Sequence, residues 1–245
     1  MGDKIYVMGG KTLEGITRTV LKYDLRTLQL EDNVPDMLCP RFGSSAVAID
    51  GKIYVFGGDT IASQSPESLN CMRSVEVFDG KVWRYIPSMK HKRLGSSAVV
   101  VDGKAIVMGG YDGEYHNTVE MYDPKTNKWS MPFAKMTQSR YAASAVTFRN
   151  YIYVIGGFQN SVLRSVERLN MITNKWEPLA KLNTRRSGMS ALCYHGKILV
   201  LGGSDGSRNL CSAEEFDPCT ETFKISRIRL RTNLALFGSH VVRDL

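Results

Sequence analysis

Four arginines recur at one place in the chain: Arg41, Arg93, Arg140 and Arg186, each 16 residues before a Gly-Gly pair. A guanidinium offers a planar fork of donors that fits a carboxylate bidentately. A repeated arginine therefore predicts either recognition of an acidic ligand or a repeated internal ion pair. Partners for the second role recur too, at Glu76, Glu120, Glu167 and Glu214. Leu21 replaces the glutamate once, and the matching arginine place holds Leu236, so both charges vanish together. Buried charge needs a partner, and both roles stay open at this point.

Other reactive side chains are sparse. His91, His116, His195 and His240 lack metal-ligand spacing to one another or to a cysteine, so no metal or other cofactor is expected. No nucleophile–base pair is legible. Cys39, Cys71, Cys193, Cys211 and Cys219 form no CxxC pair, and no Asn-x-Ser/Thr acceptor occurs. An odd cysteine count without such signals predicts a reducing, cytoplasmic setting. No apolar run approaches the roughly 18 residues of a membrane span. The start, Met1 to Tyr6, lacks a signal-peptide pattern, and Tyr6 stands where a myristoylation motif needs Ser or Thr. No membrane role is expected.

The elements that must position the arginines repeat with them. Diglycines begin at Gly9, Gly57, Gly109, Gly156 and Gly202, in steps of 48, 52, 47 and 46 residues. Each ends an apolar run, such as KIYVFGG at 52–58 or KILVLGG at 197–203. Such runs predict a buried strand closed by a tight backbone feature. Upstream lies a strand with a small-residue start, as in RFGSSAVAI from Arg41, joined to the next by turns such as Asp50-Gly51. Downstream an alternating strand ends in Asp or Asn, as in SVEVFD (74–79) and TVEMYD (118–123). A fourth strand carries Trp83, Trp129, Trp176 or Phe223, an aromatic suited to covering a seam between units. In the first copy Leu30 takes that place.

This set resembles the kelch repeat, over the whole chain. The resemblance implies an all-β fold: a five-bladed kelch-type β-propeller of four-stranded antiparallel blades around a central axis. Residues 1–245 are expected to form a single kelch propeller domain. Phe237 to Val242 matches Phe42 to Val47 in the first-strand slot, so the C-terminal strand is expected to close the first blade. Blade one is then 236–245 plus 1–33, and the others are 41–88, 93–133, 140–180 and 186–228. Six blades are commoner in the family; the head-to-tail match favours a true ring of five over a ring missing a blade.

The segments between blades are basic. Arg41, Lys90, Lys92, Arg93, Lys135, Arg140, Lys181, Arg185, Arg186, Arg227, Arg229 and Arg231 lie in them against the single acid Asp36, in a chain of net charge +8. Such a rim would focus positive potential. No nucleic-acid motif accompanies it. The loop Asp59 to Arg73 is long, which fits either recognition or a tolerated insertion. In relatives that bind acidic peptides, the arginine place and the residue after Gly-Gly supply the contacts. Carried over, these are Arg41, Arg93, Arg140 and Arg186, with Lys11, Asp59, Tyr111, Phe158 and Ser204; Tyr111 and Phe158 would be the aromatic anchors. The implied function is a non-enzymatic module binding another protein through an acidic segment. It could be the substrate-recognition part of a BTB-kelch-type ubiquitin ligase adaptor, reaching a cullin through domains outside this chain. The alternatives are a mutarotase-like sugar enzyme and an actin-binding kelch protein.

Overall fold

The computed structural model describes residues 4–31, 34–60, 70–233 and 235. It is an all-β protein, a five-bladed β-propeller, and no helix occurs among the described residues. Blade one contributes β1 (Lys4–Lys11), β2 (Ile16–Asp24) and β3 (Leu30–Glu31). Blade two is β4 (Ser45–Ile49), β5 (Lys52–Phe56), β6 (Val75–Phe78) and β7 (Trp83–Ile86). Blade three is β8 (Ser97–Val101), β9 (Lys104–Met108), β10 (Val119–Asp123) and β11 (Lys128–Ser130). Blade four is β12 (Ser144–Phe148), β13 (Tyr151–Ile155), β16 (Val166–Asn170) and β17 (Lys175–Pro178). It also carries a small hairpin, β14 (Phe158–Gln159) with β15 (Ser161–Val162). Blade five is β18 (Ser190–Tyr194), β19 (Lys197–Leu201), β20 (Ser212–Asp217) and β21 (Thr222–Arg229). Each blade is an antiparallel meander, and blades two to five have four strands. The predicted closure of blade one by 236–245 lies outside the described residues, as does 61–69 of the long loop.

Turn chemistry sets these meanders. Asp50 and Gly51 have φ of 47° and 73°, and Asp102 and Gly103 have 48° and 71°. Two left-handed residues in succession make the tight hairpin that matches strand twist. At the next corner Asp79, Asp123, Asn170 and Asp217 accept backbone N–H bonds from residues two or three further on, which starts each turn locally.

Blades pack through apolar seams. Tyr6 and Met8 of blade one lie against Ile53, Val55, Phe78 and Trp83 of blade two. Tyr54 meets Tyr122 across the next seam with ring centroids 5.8 Å apart, and Tyr153 meets Phe216 at 5.8 Å. The tryptophans pin the connecting segments: Trp83, Trp129 and Trp176 donate Nε1–H to the carbonyls of Pro35, Pro87 and Ala134 at 2.7, 2.7 and 2.8 Å. A tryptophan in that strand thus covers the seam with its ring and satisfies its one donor on the loop.

Two backbone devices join blade to blade. First, Gly10, Gly58, Gly110 and Gly157 donate N–H to the carbonyls of Arg41, Arg93, Arg140 and Arg186 in the following blade, at 2.7–2.8 Å. The glycine before each must be bare: a Cβ on Gly9, Gly57, Gly109 or Gly156 would stand 2.3–2.5 Å from that same carbonyl oxygen. Second, a chain of amide bonds runs around the axis. Gly95 donates to Gly43, Ala142 to Gly95 and Gly188 to Ala142, at 2.7–2.8 Å. All four residues have φ between 50° and 63°. On Gly43 and Gly95 a Cβ would strike Leu94 at 2.6 Å and the Tyr141 ring at 2.4 Å. The equivalent neighbour of Ala142 is Ser187, which is short, and an alanine is accommodated there. Its left-handed backbone remains strained. Ala142→Gly should therefore stabilise the fold by about 0.5 kcal/mol, strain relief outweighing the added freedom of the unfolded chain. The shift in urea midpoint at unchanged slope checks this.

Candidate functional site

The repeated arginines are structural. Arg41, Arg93, Arg140 and Arg186 are 0–1 % exposed. Each Nε–H donates to the glutamate of its own blade: Arg41 to Glu76 at 3.0 Å, Arg93 to Glu120 at 3.2 Å, Arg140 to Glu167 at 3.0 Å and Arg186 to Glu214 at 3.2 Å. Each Nη1 bridges two carbonyls, that of the first glycine of the pair and one at the start of the third strand. The glutamates are filled from the other side by loop amides: Leu38 and Cys39 on Glu76, Lys90 and His91 on Glu120, Thr137 on Glu167, Asn183 and Thr184 on Glu214. Burial pushes the Glu120 carboxyl up, but Arg93 and those amides outweigh it and hold it below the usual glutamate range.

This geometry corrects the partner-contact assignment of the four arginines. Their Nε and Nη1 donors are spent inside the blade, and no guanidinium reaches the surface. Asp59 goes with them: it is 1 % exposed, and its Oδ2 accepts from the Asn70 N–H and the Cys71 thiol. The basic rim keeps its exposed members, Lys90, Lys92, Lys135, Lys181, Arg185, Arg227, Arg229 and Arg231.

The residues after Gly-Gly take up a common position. Each forms an antiparallel bridge with the residue after the blade's arginine: Asp59 with Phe42, Tyr111 with Leu94, Phe158 with Tyr141, Ser204 with Ser187. Asp59, Tyr111 and Ser204 bridge a third residue as well, Cys71, Tyr115 and Asn209. These rows stand side by side on the loop face. Blades three and four supply aromatics, and blade five supplies small polar groups. Tyr111 contacts Tyr115 with centroids 4.9 Å apart and Tyr141 at 6.2 Å, and Tyr115 contacts Phe158 at 6.0 Å. All four rings are half-buried. Lys11, at the loop end of β1, is exposed. Tyr115 and Tyr141 belong to this cluster although only Tyr111 and Phe158 are expected from the repeat. The signal for Tyr141 was its place beside Arg140, matching Phe42 and Leu94.

Neighbouring groups offer little reactivity. Burial and the Asp59 charge push the Cys71 thiol up to about 12, so it stays protonated. Burial holds His116 below the usual histidine range despite Asp112 beside it. Among the described residues no three His, Cys, Asp or Glu side chains gather as a metal site.

The repeat pattern agrees with a family model described as the KLHDC2/KLHL20/DRC7 Kelch-repeats domain, which matches residues 1–203 and 95–236. The chain belongs to the kelch-repeat family. Among curated kelch relatives, Kelch-like protein 15 of Danio rerio is 32% identical over 148 residues, covering 53% of this chain and 24% of that protein. Kelch repeat and BTB domain-containing protein 12 of the same species is 32% identical over 153 residues, 54% of this chain and 24% of that protein. Kelch-like protein 25 of Xenopus tropicalis is 28% identical over 230 residues, 91% of this chain and 39% of that protein. The chain thus spans 24% to 39% of the length of these kelch relatives. The described residues contain no helix, and so none long and apolar enough to cross a membrane.

Proposed function

We propose that this kelch propeller is a protein-interaction module that takes an acidic segment of a partner on its loop face. The observation that carries this reading is the row of half-buried rings, Tyr111, Tyr115, Tyr141 and Phe158, held on a rigid scaffold beside exposed cations of the rim. Aromatic anchors in preformed hollows dominate binding energy at interfaces, and surrounding cations steer an acidic segment to them and set its register. Ser204, on the flanking blade five, adds a hydroxyl to the same face, and Lys11 adds a cation from blade one. A relative whose name joins kelch repeats to a BTB domain supports placing this module in a larger adaptor. There it would select substrates for a ubiquitin ligase, with the cullin reached through other domains.

The test is binding of a fluorescein-labelled pentaglutamate peptide and of proteins carrying acidic stretches. Tyr111→Ala with Phe158→Ala should weaken peptide binding by at least about 2 kcal/mol, while the thermal melt stays within a few degrees of wild type. Unchanged affinity in the double variant would remove the aromatic row from the site. Absence of any acidic-peptide binding by the wild type would remove the reading itself.

A further inference from the structure

On the loop face of blade four an open cleft of about 430 Å³ lies between the segment entering the blade, the end of the β14–β15 hairpin and the segment leaving it. Its polar lining is Gln138, Ser161, Arg164, Ser165, Lys181 and Arg185. Three of these are cations and none is an acid.

The cations are pre-positioned by backbone. Leu182 donates N–H to the Arg164 carbonyl at 2.9 Å, and Arg186 donates to the Leu163 carbonyl at 3.0 Å. Lys181 and Arg185 are each the residue immediately before one of these fixed amides. Arg164 is tied by its own side chain, Nε–H to the Leu182 carbonyl at 2.8 Å, which leaves both terminal amino groups for a ligand. Gln138 accepts the Ser165 hydroxyl on Oε1 at 2.5 Å, which leaves its amide N–H groups as donors. Among the described residues none of the three cations forms an ion pair.

The repeat itself does not demand this charge. The amide bonds from Met89 to Arg73, Met136 to Asn117 and Leu182 to Arg164 align the blades. At the three cationic places blade two then has Arg73, Ser88 and Lys92, and blade three has Asn117, Lys135 and Ser139. Blade five pairs Leu230 with Cys211 and so places Arg229 beside Cys211. Among the described residues, blade four alone is cationic at all three places.

A single carboxylate is satisfied by one arginine fork. Three uncompensated cations with the Ser161 hydroxyl and the Gln138 amide N–H groups suit a group with about two negative charges and three acceptor oxygens, which is a phosphate monoester. The cleft also adjoins the aromatic row, since Val162 on its wall pairs with Phe158 across the β14–β15 hairpin. One extended segment could span both. We propose that this cleft binds a phosphorylated side chain of the acidic segment received on the loop face. The proposal rests on the reading given under Proposed function and adds a modification state to it.

The probes are fluorescein-labelled pentapeptides, Glu-Glu-X-Glu-Glu, with X as phosphoserine, serine or glutamate, compared by anisotropy at one ionic strength. The phosphoserine form should bind about tenfold tighter than the other two. Arg164→Gln, Lys181→Gln and Arg185→Gln together should bring it to the affinity of the serine form. Lys125→Gln, Lys128→Gln and Lys175→Gln, which remove equal charge from exposed turn and strand-end positions at the other end of the blades, should keep the tenfold gap. The idea is overturned if the three peptides bind equally, if the distant triple variant closes the gap as fully, or if inorganic phosphate binds as tightly as the phosphopeptide. Equal binding of all three would leave the loop-face reading standing; no binding of any would end that reading first.

Discussion

Glu120→Ala is expected to destabilise the protein by about 3–5 kcal/mol, a fall in melting temperature on the order of 10 °C for a domain of this size. The reason is what the glutamate leaves behind. Arg93 is 0 % exposed, and its charge would remain in the blade without a counter-ion. The amides of Lys90 and His91, which end on the same carboxylate, would lose their acceptor. The carboxyl is held below the usual glutamate range, so the folded state favours the charged form. Its contribution is fully present above the unfolded-state pKa and is lost as pH falls through the lower, folded value. The wild type should therefore lose part of its advantage over Glu120→Ala as the pH is taken down through the acid range. Denaturation midpoints measured at neutral and acid pH check both statements; equal stability of the two proteins at neutral pH would refute the structural role.

Gly109→Ala is expected to cost about 3–4 kcal/mol. The added Cβ would stand 2.5 Å from the Arg140 carbonyl oxygen, at a backbone φ of 68°. That oxygen also accepts the Gly110 N–H at 2.7 Å, so the strands cannot part without losing a bond between blades three and four. Gly103→Ala is the matched control. Its φ is 71°, but a Cβ there meets nothing within 4 Å, so only the left-handed penalty of about 1 kcal/mol applies. Urea titration of the two variants should separate steric contact from conformational strain.

The fold was legible because its periodic residues are forced by geometry. Glycine at 109 answers a carbonyl 2.5 Å away, and tryptophan at 129 answers both a seam and an orphan loop carbonyl. The joint loss of arginine and glutamate in the first copy was a true sign of pairing. The site was less legible, because surface and interior cations look alike in a sequence. Arg93 and Lys92 are neighbours, yet one is sealed in the blade and the other is exposed. Tyr115 was hidden for another reason: it lies in a loop without fixed spacing and meets Tyr111 through an isolated bridge and a ring contact that no periodic position marks. The β14–β15 hairpin, which sets Phe158 beside the blade-four cleft, extends by the Gln159–Ser161 pair what is a single bridge in blades two, three and five, and its loop length follows no fixed period.

The arginines have one more property. Each holds its own blade through the guanidinium and the preceding blade through its carbonyl. A blade is therefore half of two couplings, and the coupling is the same at all four described junctions. Parts with identical couplings are interchangeable. A duplicated blade spliced between any of these neighbours would meet a matching half on either side, so propellers with differing blade numbers can arise by copying a single unit. The face that such copying leaves free to diverge is the one bearing the aromatic row and the cationic cleft.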